Sequence, residues 1–135
     1  MKPAIAWTLR LIPAIIIGQT LPFKFGGAEA SVELFSDLAY KALGNAGLEG
    51  ALRIGTGVFE LIAVILLLIP KQSLKGALLV AGTMFGALSS HALFIGFAAY
   101  APLPILAFIA LAASVTYIIA NKEEIVAMGE GKLLA

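Results

Sequence analysis

Arg53, Thr56, Gly57 and Glu60 are spaced i, i+3, i+4 and i+7, so a helix carries all four on one face. The stretch that holds them, Ala51 to Pro70, is otherwise apolar, with twelve Leu, Ile, Val and Phe residues between Leu52 and Ile69. A carboxylate at the centre of a membrane helix costs about 3 kcal/mol, while each such apolar residue returns roughly 0.3–0.6 kcal/mol. Insertion therefore wins by a small margin. An acid at that depth requires a partner or a polar cavity, which makes Glu60 the first functional candidate. The chemistry open to it is ion pairing, hydrogen bonding to a ligand, or taking up and releasing a proton. Arg10 lies in an earlier apolar stretch and Ser90-His91 near the end of a later one. Arg10, Arg53, Thr56, Glu60, Ser90 and His91 are thus the candidate ligand-binding residues. The expected hub is Glu60, paired to Arg10 or to His91.

Each of these residues also has a structural reading. Arg10 can snorkel to headgroups, and Arg53 can anchor the helix at the interface. Glu60 lies too deep to snorkel, yet a purely structural ion pair serves it as well as a site does. A single histidine in a chain with no cysteine is a hydrogen-bonded core residue before it is a ligand, so no metal site is expected. No nucleotide-binding loop, nucleophile triad or paired catalytic carboxylates occur, and no catalytic residue is assigned.

Four apolar stretches must position these groups. The expected spans are residues 4–21, 51–69, 76–97 and 103–120. The first contains Arg10 and Pro13, and its eight Leu and Ile residues barely outweigh the arginine. Lys2 and Arg10 before a short apolar run, with Ala28-Glu29-Ala30 beyond it, imitate a cleavable leader; the segment is read as a span. Between spans one and two, Val32, Phe35, Leu38, Ala39 and Ala42 share one helical face, and Glu29, Glu33 and Asp37 share another. This predicts an outer amphipathic helix over residues 30–43, stopped by Gly44. Gly82, Gly86 and Ser90 form a small-residue row on span three, suited first to packing within the bundle and second to a homo-oligomer. Trp7 and Tyr100 are placed as interfacial aromatics. Residues 121–135 form a polar tail that extends the fourth helix by a turn or two before Gly129.

Composition agrees with this plan. The 135 residues are 61% hydrophobic and 13% charged, with a mean hydropathy of +1.02. So much apolar surface needs lipid as its solvent, and the length suits one domain. A net charge of +1 gives no reason to invoke nucleic acid. Without cysteine the chain cannot itself perform thiol–disulfide chemistry or ligate an iron–sulfur cluster.

Four spans put Lys2, Lys71, Lys75, Lys122 and Lys132 on one side, against Lys24, Lys41 and Arg53 on the other. The positive-inside rule then makes both termini cytoplasmic. At 1.5 Å per residue, Glu60 lies about 14 Å below the outer surface, His91 about 9 Å below it, and Arg10 about 9 Å above the inner one. Lys24 falls within about 40° of Arg10 on an ideal helical wheel, but at the outer rim.

Arg10, Gly18, Lys24, the run Gly-Thr-Gly-Val-Phe-Glu from Gly55 to Glu60, Pro70, and Gly-Ala-Leu-Ser-Ser-His from Gly86 to His91 together resemble the DoxX-like family of small four-helix bacterial membrane proteins. The resemblance covers roughly residues 8–120. It implies an all-α four-span bundle in a bacterial inner membrane, and a subunit of a membrane redox complex. It makes Glu60 and His91 the family's characteristic acidic and histidine positions, with a quinone as the candidate cofactor and a redox subunit as the candidate partner. Two rival expectations remain open: a scaffold or chaperone binding other membrane helices, and a small transporter or proton-handling carrier using Glu60.

Overall fold

A computed structural model describes residues 1–123. Its elements are helices α1 (Pro3–Gly18), α2 (Leu21–Gly26), α3 (Glu29–Leu43), α4 (Glu49–Leu68), α5 (Ser73–Ser90) and α6 (Leu103–Ala120). Short 3-10 turns at Ala46–Leu48 and Pro70–Gln72 connect α3 to α4 and α4 to α5, and a π-turn, His91–Ile95, extends α5. The architecture is the expected all-helical bundle. The expected extension of the last helix toward Gly129 lies outside the described residues.

Among the described residues, four segments are long and apolar enough to cross a membrane: Pro3–Gly26, Ala46–Leu68, Pro70–Ile95 and Leu103–Ala120. The first differs from expectation. It does not end at Leu21 but bends at Gln19-Thr20 and runs on through α2. Thr20 turns its hydroxyl back to the Ile17 carbonyl (2.7 Å), and Pro22 starts the new helix, where a missing N–H costs nothing. Lys24 therefore sits on a continuation of the first span and not beyond its end. Gly27, at φ 68°, ends α2, and Gly44, at φ 72°, ends α3 where its sequence position predicts a stop.

The four spans form a ring in which α1 and α5 each pack on both α4 and α6, while α3 lies over α4 and the π-turn. At one end, here the base, the start of α1 meets the end of α4 and the start of α5 meets the end of α6. The core is made largely of small residues: Ala63, Ala77 and Ala110 are fully buried, with Ile17, Leu67 and Val80 filling between them. Small side chains let backbones approach, which is how helices gain packing energy where lipid supplies no hydrophobic drive between them. Gly76 is the extreme case, since a Cβ there would lie 2.5 Å from the Leu67 backbone nitrogen. Large apolar side chains point outward instead: Ile15, Phe85, Leu93, Phe108 and Ile119 are each more than 60% exposed. In water such a surface would drive aggregation; it is a lipid-facing coat, and the chain is a multi-pass membrane protein.

The expected role of the Gly82/Gly86/Ser90 row in bundle packing is not met. A Cβ at Gly82 or Gly86 would meet nothing within 4 Å. Gly76, one turn into α5, makes the close approach, because there the tight Pro70–Gln72 turn has not yet let α4 and α5 diverge.

Candidate functional site

Glu60 is buried, 3% exposed, at the middle of α4, and its partner is Lys24. The lysine Nζ donates to both carboxylate oxygens, at 2.8 Å to Oε1 and 2.6 Å to Oε2, and reaches the Thr20 hydroxyl at 3.4 Å. The expected pairing of Glu60 with Arg10 or His91 is thus corrected. The bend after α1 and the extra turn of α2 bring Lys24 down beside α4, and neither event follows from a single ideal helical wheel.

Local sequence explains how α2 reaches α4. Gly57 lies one turn before Glu60, and a Cβ on it would stand 3.1 Å from the Phe25 ring and 3.7 Å from Lys24 Cβ. The missing side chain is the landing place of α2. Arg53 then holds that helix in place: Nη1 donates to the Lys24 carbonyl, while Nε donates to Glu49 Oε2 at 2.9 Å. A cation on the last carbonyls of a helix is favourably placed against its dipole. Arg53 is therefore a positioning residue for Lys24 and does not itself border the cavity described next.

Beside the pair lies a cavity of about 710 Å³, enclosed by the ends of α1 and α2, by α3, by the outward halves of α4 and α5, by the π-turn and by the start of α6. Thr56, Glu60, Ser90 and His91 all border it, together with Lys24 and Thr20. Leu34, Phe35, Met84, Leu106 and other apolar side chains form most of the remaining wall. Its size lies in the range of sites that hold a drug-sized or lipid-like molecule.

His91 opens the π-turn, and its Nδ1 is 2.9 Å from the Gly96 carbonyl of the same turn. A carbonyl only accepts, so Nδ1 carries the hydrogen. Gly96 itself, at φ 79°, ends the turn, and its N–H donates to the His91 carbonyl at 2.7 Å. The imidazole lies 6.3 Å from both the Phe97 and Tyr100 rings, stacked on the first and edge-on to the second. Tyr100 also ties the α5–α6 loop to α3, donating to Asp37 Oδ2 at 2.9 Å, with Lys41 3.0 Å from the other carboxylate oxygen. The Lys41 hydrogen bond holds the Asp37 carboxyl below its ordinary value, against a smaller opposing effect of burial. Burial first, then the bond to Asp37, pushes the Tyr100 hydroxyl up to about 12. Tyr100 is thus a latch on α3.

Arg10 stands apart from all this. It is buried, 4% exposed, near the base, where Nε donates to the Leu67 carbonyl at 2.7 Å. Its guanidinium carbon lies 3.9 Å from the centre of the Trp7 ring. Its Nη2 has no hydrogen-bond partner among the described residues. The carbonyl end of α4 and the indole face take the place of the acid expected for it. The six candidate ligand-binding residues are therefore divided: Thr56, Glu60, Ser90 and His91 share the cavity, Arg53 supports it from behind, and Arg10 belongs to the other end.

Lys24 is the cavity residue absent from the six candidates, because the sequence placed it at the outer rim. The available signal was Thr20 and Lys24 at i, i+4 beyond the apolar run, which hints that the helix continues. Among the described residues no three His, Cys, Asp or Glu side chains gather as a metal site would require. No model of a known protein family matches the chain, and no curated protein or solved structure matches it either.

Proposed function

We propose that the protein binds a neutral amphiphile of quinone or lipid type within the bundle, and that it serves as a DoxX-like subunit of a membrane redox complex. The observation that carries this reading is the cavity of about 710 Å³, mostly apolar, with the Lys24–Glu60 pair and His91 on its wall. Apolar walls suit an isoprenoid or acyl tail, and a few convergent polar groups fix the orientation of a head. A ligand that enters from lipid has its hydrocarbon desolvated already, so the polar groups decide which head is retained. The resemblance of Arg10, Lys24, Gly55 to Glu60 and Gly86 to His91 to the DoxX-like pattern supports the redox association and a bacterial inner membrane. The lysines at the base support cytoplasmic termini.

Protein extracted in mild detergent and examined by native mass spectrometry should carry a bound small molecule. A short-tailed benzoquinone or benzoquinol should raise its Tm. Retention of nothing, with no change in Tm on adding either compound, would reject the proposal.

A second reading rests on one observation, the open space over Gly82, which does not border the cavity. An uncovered small-residue edge on α5 suits a helix of another membrane protein or of a second copy. Loss of a co-purifying partner in Gly82→Leu, with ligand binding intact, would favour that scaffold role.

A further inference from the structure

The cavity wall is uneven in its hydrogen-bonding capacity. Lys24 has three N–H groups, and all three are engaged, two by Glu60 and one by Thr20. Thr20 donates to the Ile17 carbonyl, Ser90 to the Gly86 carbonyl at 2.9 Å, and Thr83 to carbonyls of its own helix. His91 commits its Nδ1–H to the Gly96 carbonyl. The donors on this wall are largely turned back into the protein.

The acceptors are not. An ionised carboxylate has about four lone-pair directions, of which Lys24 occupies two at Glu60. In the neutral imidazole, Nε2 is a bare acceptor, and no described residue donates to it. Thr20 and Ser90 keep lone pairs after donating. Thr56 and Ser31 make no side-chain hydrogen bond among the described residues, and their hydroxyls can accept as readily as donate.

We infer that the cavity selects a head group that donates hydrogen bonds: a hydroxyl-bearing amphiphile, as in a quinol or a glyceryl lipid, and not one that only accepts, such as a quinone. This deepens the proposed function and rests on its reading of the cavity as a ligand site. A quinone carbonyl placed beside Glu60 and His91 would set acceptor against acceptor, leaving both sides unpaired. A hydroxyl in the same place donates to Glu60 or to His91 Nε2, and a dihydroxy head can satisfy two acceptors at once.

The test uses the full-length protein in mild detergent and compounds with one common short alkyl tail: a benzoquinol kept reduced under anaerobic conditions, its benzoquinone, and its dimethyl ether, whose donors are capped. Monoolein is a fourth probe and separates a glyceryl head from an aromatic one. Kd is read by thermal shift and by titration calorimetry. The quinol, monoolein or both should bind about tenfold or more tighter than the quinone and the ether. In Glu60→Gln, where an amide donor replaces a carboxylate acceptor, that preference should shrink or reverse. Equal binding of all tailed compounds, or preference for the quinone, overturns the donor inference while the ligand-site reading stands. Binding of none of them overturns both. The comparison among ligands is made on the unaltered protein, so a folding failure in Glu60→Gln leaves the decision intact.

Discussion

One end of the bundle buries a cation and the other half-buries one, and the two ends treat it differently. At the base, Arg10 is spent on closure: it caps the end of α4 through the Leu67 carbonyl and lies against Trp7. Nearby, Ser73 and Tyr117 join the start of α5 to the end of α6 at 2.7 Å, and Gly76 lets α5 press on the α4 backbone. At the other end, Lys24 is paired with Glu60, and the helices stand apart around about 710 Å³. Where backbones can touch, a carbonyl at a helix end and an indole face hold the cation. Where they cannot, a full countercharge is needed, and it lies on a cavity. Closure and opening are thus achieved by one chain with the same few polar residue types.

The largest effect should come from breaking the outer pair. Lys24→Met leaves the Glu60 carboxylate buried without its cation and should cost about 3–5 kcal/mol. The double variant Lys24→Met/Glu60→Leu should recover most of that stability yet lose the preference among ligands. Denaturation in mixed micelles and ligand titration check the two halves of this statement. If the single variant is as stable as the parent, the outer pair is not what holds α2 to α4.

Next is the base. Gly76→Ala places a methyl group against the Leu67 nitrogen and should destabilise by about 1–3 kcal/mol. The ligand Kd should hold steady in the fraction that remains folded, because Gly76 lies at the far end from the cavity. A parallel loss of affinity would show the two ends to be coupled and would sharpen the comparison into a mechanical one.

Arg10→Leu should cost about 1–2 kcal/mol, since it removes one charge-assisted bond and a stack on Trp7 while lifting an arginine out of an apolar setting. Thermal unfolding followed by tryptophan fluorescence reads both the stability and the altered environment of Trp7.

The smallest effect belongs to the α3 latch. Tyr100→Phe should cost about 1 kcal/mol or less at neutral pH. The folded chain holds the phenolic proton more tightly than the unfolded one, so this contribution is whole below about pH 10 and is lost as pH rises from there through about 12. Asp37 acts in the opposite sense. Its carboxyl is held below the ordinary value, so its contribution is present above that value and fades as pH falls beneath it. Stability curves of parent and Tyr100→Phe should therefore converge at high pH. If the gap between them stays constant to pH 12, the hydroxyl is not the group that ties Tyr100 to α3.

Hydropathy, proline and glycine positions and helical periodicity made the four spans, the amphipathic α3 and its stop at Gly44 legible in advance. Those signals are local, each decided by a few consecutive residues and by the cost of leaving backbone or charge in hydrocarbon. They also marked Glu60 as an acid too deep to stand alone. The identity of its partner was not local. It depended on a bend at Gln19-Thr20, on a six-residue helix after it, and on Gly57 receiving Phe25 thirty-two residues away in sequence. The glycines divided in the same way: Gly82 and Gly86 made the recognisable motif, but Gly76 made the contact. Apolar patterning says which segments leave water, because that depends on composition alone. Which faces then meet depends on helix length, bend and register, and only the assembled bundle decided it.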